Sequence, residues 1–370
     1  MKKIIKWHKN SIYTKPLSPA CKLCAKGAEL VLLVTGLCPM HCFYCPLSMK
    51  KYGNDVIYAD EWKLKNENDV DTILKEAQYI NAKGAGITGG DPLLVWKRTK
   101  RYISTLKDNF GDKFNIHLYT SGVKGSEHIP DLCSVGLNEI RFHPAPLFWN
   151  NMNKAPIHDA IKTALDQDLD VAIEIPVIPD TETNMISLIK WAAGQGIRWI
   201  NLNELEFSES NCTALSQKGY QAKSDISAAV KGSEETAYNV INAVSNESFN
   251  IGVHYCSSSF KDGIQLKNRI KRRASNVARP YEIISDEGLL IKGVIFSKNI
   301  SFFTLEMLKK RFSILDDLIA FDAEKNRIEV AGWILEEIAD DLLKEGFECY
   351  LVEEYPTADR LEVERILLPL

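Results

Sequence analysis

Between Gly36 and Ser48 the chain carries Cys38, Cys42 and Cys45, three thiols at intervals of four and three residues in one short stretch. Thiolates are the usual ligands of iron-sulfur clusters, and three so closely spaced can reach three irons of one cubane. The fourth iron then has no protein ligand from this stretch and is open to another molecule. Two other assignments use the same residues: a tetrahedral zinc completed by a donor from elsewhere, or a ferredoxin-type cluster with a fourth cysteine.

The elements around these thiols decide what they can serve. Short apolar runs at residues 29–34, 84–88, 115–119, 139–143, 170–175 and 199–203 are bounded by turn residues and read as strands. Helical periodicity fills the gaps at 70–82, 96–109, 126–134, 157–167 and 184–195. This alternation predicts α/β architecture, a partial (β/α)6 barrel, with a doubly wound sheet as the alternative. Both place their active sites at strand C-termini. The cysteine stretch follows the first strand directly. Gly89-Gly90-Asp91 follows the second, Ser121 and Gly122 the third, and Arg141, His143, Glu174 and Asn203 lie at the ends of later ones, so distant residues are expected to form one ring. Glu204 and Glu206 extend that ring as substrate-binding or supporting groups, whereas His117, inside a strand, reads as structural.

The spacing Cys38-x3-Cys42-x2-Cys45, with the aromatic Tyr44 directly before the last cysteine, resembles the signature of the radical S-adenosylmethionine superfamily. The supporting strand and helix pattern covers residues 28–256. The resemblance implies a [4Fe-4S] cluster on the three cysteines, with S-adenosylmethionine chelating the open iron through its methionyl amine and carboxylate. It also implies reductive cleavage to methionine and a 5'-deoxyadenosyl radical that takes hydrogen from a substrate. A low-potential electron donor of the flavodoxin or ferredoxin type follows from that chemistry. Gly89-Gly90-Asp91-Pro92 is similar to the superfamily's GGEP motif with Asp in place of Glu. Its glycines allow close backbone approach, and their carbonyls are expected to meet the methionyl ammonium. Tyr44, Asp91, Ser121, Arg141, Glu174 and Asn203 are the further expected contacts to the cosubstrate. Within the superfamily the chain looks like relatives of pyruvate formate-lyase activating enzyme and of the molybdenum-cofactor enzyme that acts on GTP.

Cys21-x2-Cys24 precedes the first strand and has the spacing of half a zinc or auxiliary iron-sulfur site. The missing half is assigned to Cys256, with His254, at the end of a further strand at 250–256 that would be the seventh. An exposed dithiol or redox pair is the competing reading. Cys133, Cys212 and Cys349 occur singly and read as ordinary residues.

Four divisions are expected: a leader over 1–27, the barrel over 28–258, a basic helical connector over 259–282 and a small α+β domain over 283–370. The connector concentrates Lys261, Lys267, Arg269, Lys271, Arg272, Arg273 and Arg279 against Asp262 alone. Leu266, Ile270, Ala274 and Val277 recur at helical spacing, which predicts an amphipathic helix. Its charged face would suit RNA phosphates or simply solvent.

The net charge of −4 gives no global argument for nucleic acid or an anionic membrane, and with 45% hydrophobic and 25% charged residues the composition is that of a folded globular protein. Trp7-His8-Lys9 stands where a signal peptide would need its apolar core, and no run of about 18 apolar residues exists. A cytoplasmic enzyme with metal-bound cysteines in a reducing compartment is therefore expected. Its substrate is either RNA or a protein or metabolite; a non-enzymatic iron-sulfur or zinc protein is the remaining class.

Overall fold

The computed structural model describes residues 2–369, which divide into two compact units at 266/267. The first unit opens with β1 (Ile5–Lys6), β2 (Ile12–Tyr13), α1 (Pro19–Ala25) and β3 (Glu29–Leu33), then a small hairpin of β4 (Tyr58–Ala59) and β5 (Trp62–Lys63). Helix–strand alternation follows: α2 (Val70–Tyr79), β6 (Gly84–Thr88), α3 (Trp96–Phe110), β7 (Asn115–Thr120), α4 (Ile129–Cys133) and β8 (Glu139–Phe142). It continues through α5 (His158–Leu165), β9 (Asp170–Val177), α6 (Glu182–Gly194) and β10 (Trp199–Glu204). After α7 (Cys212–Gln217), the hairpin β11 (Ala222–Ser224) and β12 (Ser227–Val230), and α8 (Ser233–Ser245) comes β13 (Gly252–Cys256). The short α9 (Ser258–Phe260) and a π-helical turn over Lys261–Leu266 close the unit.

Seven parallel strands stand side by side in chain order, β3, β6, β7, β8, β9, β10 and β13. Consecutive order removes the doubly wound alternative, which needs a reversal of strand order. Antiparallel β1–β2 flanks β13 and β4–β5 flanks β3; these outer pairs do not meet, so the barrel is partial. Six strands with 250–256 as a possible seventh were expected; register pairs Trp199 with Gly252 and Asn203 with Cys256, so β13 is a full member.

Alternation sorts the strand residues. Leu30, Leu32, Ile87, Ile116, Leu118, Ile140, Phe142, Ile173, Ile175, Ile200 and Leu202 are fully buried in the core shared with the helices. Each contributes about 1.5–3 kcal/mol by leaving water. The residues between them, Glu29, His117, Tyr119, Glu139, Arg141, Glu174, Asn201, Asn203 and His254, face the other way, and the interior of the partial barrel is polar. Within the segment expected as a leader, the described residues 2–27 join the barrel: β2 completes the β13 edge, and Thr14 N–H donates to Val253 O at 2.8 Å. Helix α1, capped by Ser18 with Pro19 in its first turn, lies at the N-terminal ends of the strands, where a Cβ on Gly84 would be 3.1 Å from Leu23.

The second unit holds α10 (Lys267–Val277), β14 (Ile283–Ile284), β15 (Leu290–Phe296), α11 (Phe302–Phe312), β16 (Ile319–Asp322), β17 (Arg327–Val330), α12 (Gly332–Lys344), β18 (Glu348–Glu354) and β19 (Glu362–Leu368). Its sheet is antiparallel throughout, in the order β16-β17-β15-β18-β19 with β14 beside β15. Leu305, Leu308, Leu335, Ile338 and Leu342 of α11 and α12 fill its core. Lys292, in the centre of β15, is 1% exposed and its ammonium lies 3.1, 2.7 and 2.8 Å from Glu282, Glu329 and Glu354. Arg327, equally buried, bonds Glu329 at 2.7 Å and also Glu354.

Candidate functional site

The cysteine loop leaves β3 and is tied down before it reaches the thiols. Thr35 donates to Asp55 at 2.8 Å, and Arg98 grips the same carboxylate through two bonds of 2.6 and 3.0 Å while donating to Val34 O at 2.9 Å. Gly36 N–H donates to Asn54 O at 2.8 Å and Gly53 N–H returns to Gly36 O at 2.9 Å, closing the loop's neck. A Cβ on Gly36 would fall 1.6 Å from Lys51 O, so only glycine fits the neck.

Cys38, Cys42 and Cys45 are free and partly buried, and their charges interact. Burial pushes the Cys38 thiol up to about 11 and raises that of Cys42. Free, the thiols of Cys38 and Cys42 are protonated at neutral pH; a metal's positive charge ionises such ligands. Three uncommitted thiols on one clamped loop fit a three-thiolate [4Fe-4S] site.

Tyr44 anchors the loop to the barrel. Its hydroxyl lies 2.9 Å from His143 Nε2, and His143 Nδ1 lies 2.8 Å from Glu174 O. A carbonyl can only accept, so Nδ1 carries the proton; burial lowers the His143 pKa and keeps the ring neutral, which makes Nε2 the acceptor for the Tyr44 hydroxyl. From the segment after β10, Asn211 donates to Tyr44 O at 3.2 Å and Ser210 to Cys45 O at 3.0 Å.

The Gly-Gly-Asp turn after β6 packs backbone to backbone on the cysteine loop. Gly90 N–H donates to Thr35 O and Asp91 N–H to Leu37 O, both at 2.7 Å. A Cβ on Gly90 would lie 2.1 Å from Leu37 O. Gly90→Ala is therefore expected to force the loops apart, lowering iron per chain after reconstitution while leaving far-ultraviolet circular dichroism near wild type.

Asp91 and Ser121 were expected to face the cosubstrate, but they bond one another. The fully buried Asp91 carboxylate accepts from Thr120 Oγ1 at 2.7 Å, Ser121 Oγ at 2.5 Å, Ser121 N at 3.1 Å and Leu93 N at 3.1 Å. It locks the turn after β6 to the turn after β7.

Arg141 and Glu174 were also placed at the rim; both lie inside the barrel. Arg141, 3% exposed, donates to Glu139 at 2.6 Å and Glu174 at 2.8 Å, and reaches Ser18 Oγ and Cys21 Sγ at 3.2 and 3.5 Å. Glu174 accepts in addition from Asn201 at 2.9 Å and Asn203 at 2.8 Å. Burial pushes the Glu174 carboxyl up, but the Arg141 charge and the two amides outweigh it and hold the pKa below the usual value.

These groups line a cavity of about 250 Å³ inside the sheet, together with Thr88, Cys21, Cys24, His254 and Cys256. His117, read from sequence as structural, lines it too and bonds the Tyr119 hydroxyl at 2.9 Å. Asn201 lines it as well, and Tyr119, Glu29 and Gln265 are lining residues the sequence analysis missed. For Tyr119 the signal was its place two residues after His117 in an otherwise apolar strand, whereas Gln265 lies in the π-helical turn, off the strands. Glu204 instead accepts from Ser258 N–H at 2.7 Å, and Glu206 pairs with Lys261 at 2.5 Å.

The basic segment is less open than its sequence suggests. Besides Lys261, Lys267 pairs with Glu287 and Arg279 with Glu329, and Arg273 is buried. It is also interrupted by the π-helical turn. Among the described residues no helix is long and apolar enough to cross a membrane.

The Radical SAM superfamily profile matches residues 32–192, and a Domain of unknown function (DUF8061) matches residues 288–368. A Methanocaldococcus jannaschii protein named "Putative glycyl-radical enzyme activating enzyme" is 39% identical over 361 residues, which is 95% of this chain and 93% of that protein. The GTP 3',8-cyclase of Staphylococcus carnosus is 24% identical over 153 residues, 40% of this chain and 44% of the cyclase. Among solved structures, Streptococcus suis SuiB bound to S-adenosylmethionine aligns with a TM-score of 0.43 at 14% identity, over 64% of this chain and 53% of SuiB.

Proposed function

Because the chain belongs to the radical SAM superfamily, we propose that it abstracts hydrogen from a small polar substrate seated in the cavity inside the sheet. When bound on Cys38, Cys42 and Cys45, the [4Fe-4S] cluster supplies the electron that cleaves S-adenosylmethionine to methionine and a 5'-deoxyadenosyl radical. A small low-potential protein of the flavodoxin or ferredoxin type is the proposed source of that electron.

The observation that carries the substrate reading is the cavity of about 250 Å³, lined in part by Arg141, Glu174, Asn201 and Asn203, within the same strands whose C-terminal ends hold the cysteine loop. In this reading the chain's residues divide the work. The backbone of Gly89 and Gly90, pressed against Leu37, meets the methionyl ammonium. Asp91 and Ser121 stand behind it as positioning residues. Tyr44 and His143 fix the loop above the cavity. Arg141, Glu174 and Asn203 belong to the substrate side, where buried polar groups discriminate by hydrogen bonding more sharply than apolar walls do.

A second reading takes a residue of a protein as the substrate, as the name of the M. jannaschii relative suggests. RNA has less support, since at least three of the seven cations counted on for phosphate contacts, Lys261, Lys267 and Arg279, are held in ion pairs.

The anaerobically reconstituted protein with dithionite and S-adenosylmethionine is expected to release 5'-deoxyadenosine and methionine, and Cys42→Ser to release neither. A small-molecule filtrate of cell extract should raise the wild-type rate. Stimulation by the macromolecular fraction alone would favour the protein substrate. No 5'-deoxyadenosine under any of these conditions, with the cluster intact, would reject the reading.

A further inference from the structure

The cavity has a floor chemistry that radical generation does not use. Cys21 and Cys24 lie three residues apart on α1, which places them on one face of that helix. Both line the cavity, and so do Cys256 and His254 from β13. His254 is 3% exposed and neither of its ring nitrogens has a hydrogen-bond partner. A buried imidazole so placed loses the hydration of two polar atoms, and the cost is recovered when a ligand takes one of them.

The sulfurs are addressed by donors. Arg141 and Asn201 direct N–H groups at Cys21 Sγ from 3.5 and 3.4 Å, and Gln265 directs one at Cys256 Sγ from 3.6 Å. Cys21 also reaches Asn201 Oδ1 at 3.6 Å as a thiol. N–H donors around sulfur are the outer shell that steadies a metal-bound thiolate. Three thiols and an imidazole form one of the common zinc donor sets, and thiolates equally hold iron-sulfur clusters.

We propose that Cys21, Cys24 and Cys256, with His254 as fourth donor, bind a thiophilic metal centre at the floor of the cavity. In this structure the four donors are not drawn to bonding distance, and the same is true of Cys38, Cys42 and Cys45: among the described residues no three His, Cys, Asp or Glu side chains stand as an assembled metal site. Binding releases the thiol protons to water. With zinc, three thiolates outweigh the divalent charge and the centre is net negative, offset by the Arg141 guanidinium 3.5 Å from Cys21 Sγ.

The test uses the full chain carrying Cys38→Ala, Cys42→Ala and Cys45→Ala together, which removes the radical-generating cluster whether or not the proposed function is right. Anaerobic reconstitution is done separately with zinc and with ferrous iron plus sulfide, followed by gel filtration and metal analysis. One centre per chain is expected to remain. Zinc retention with cobalt absorption of a tetrahedral thiolate site identifies a mononuclear metal; sulfide-dependent visible absorption identifies a cluster. Adding Cys21→Ser and Cys24→Ser should abolish retention, and Cys256→Ser alone should shift the cobalt spectrum if the double change does not fold. Cys133→Ser with Cys212→Ser should change nothing. A folded triple variant that keeps neither zinc nor iron overturns the proposal.

Discussion

Lys292→Met is expected to cost the C-terminal unit about 3–5 kcal/mol, the scale for removing one partner of a buried ion pair. Lys292 is in contact with three carboxylates, Glu282, Glu329 and Glu354, each nearly or fully buried. Methionine replaces most of the volume but none of the charge. Arg327 and Arg360 remain, bonded to Glu329 and Glu354 and to Glu282, so one positive charge is lost from a cluster whose anions cannot reach water. Burial pushes the Glu329 carboxyl up, yet Lys292 and Arg327 override it and hold it at about 2. A carboxylate lowered in the folded state adds stability that is complete above its unfolded value and lost as pH falls through the folded one. The wild-type unit should therefore weaken between about pH 4.5 and 2, and the Lys292→Met unit should weaken at higher pH. Hydrogen exchange of the full chain, followed in peptides covering β15 and β18, reads both effects without requiring the two units to unfold together. Unchanged protection in those strands would show that the cluster contributes little net stability.

The partial barrel was legible because its strands are short, apolar on alternate residues and separated by amphipathic helices. The cysteine loop was legible because one stretch carries all three thiols. What failed depends on partners far away in the chain. The strand β2 pairs with β13 across some 240 residues, and nothing local in Ile12-Tyr13 announces it. The helix α1 did leave a signal, Ser18 followed by Pro19, but in a segment read as a leader. The strand β19, Glu362–Leu368, is largely exposed, and its polar half hides its pattern.

Site residues were misplaced for a related reason. The fifth strand was expected to end at 175, which makes Glu174 a rim residue; β9 runs to Val177, so Glu174 falls within it and faces inward. Two residues of strand length set Glu174 among the residues that line the cavity. Arg141 went the same way because it was judged as a strand end rather than as the partner of Glu139 two residues earlier. Asp91 and Ser121 face each other across two loops, a contact that sequence spacing does not contain.

Glu174→Ala should have the largest effect in the first unit, about 3–5 kcal/mol, because it strips a buried guanidinium of one of its two carboxylates and takes the carboxylate acceptor from two amides. Glu174→Gln keeps an acceptor oxygen at the same place and should cost about 1–3 kcal/mol. Since the folded Glu174 carboxyl is held below its ordinary value, its contribution is complete above that value and lost as pH falls through the folded one, so the gap between wild type and Glu174→Gln should narrow in acid. Denaturant unfolding of the first unit at two pH values checks the sign. The same variant separates structure from function. Cluster binding and substrate-free cleavage of S-adenosylmethionine depend on the cysteine loop, and Glu174 reaches that loop only through its own carbonyl on His143, which the substitution retains. If the cavity seats the substrate, folded Glu174→Gln keeps basal 5'-deoxyadenosine release and loses stimulation by the small-molecule filtrate. If stimulation survives in full, the Arg141–Glu174 network serves to hold the barrel together and the substrate is recognised elsewhere.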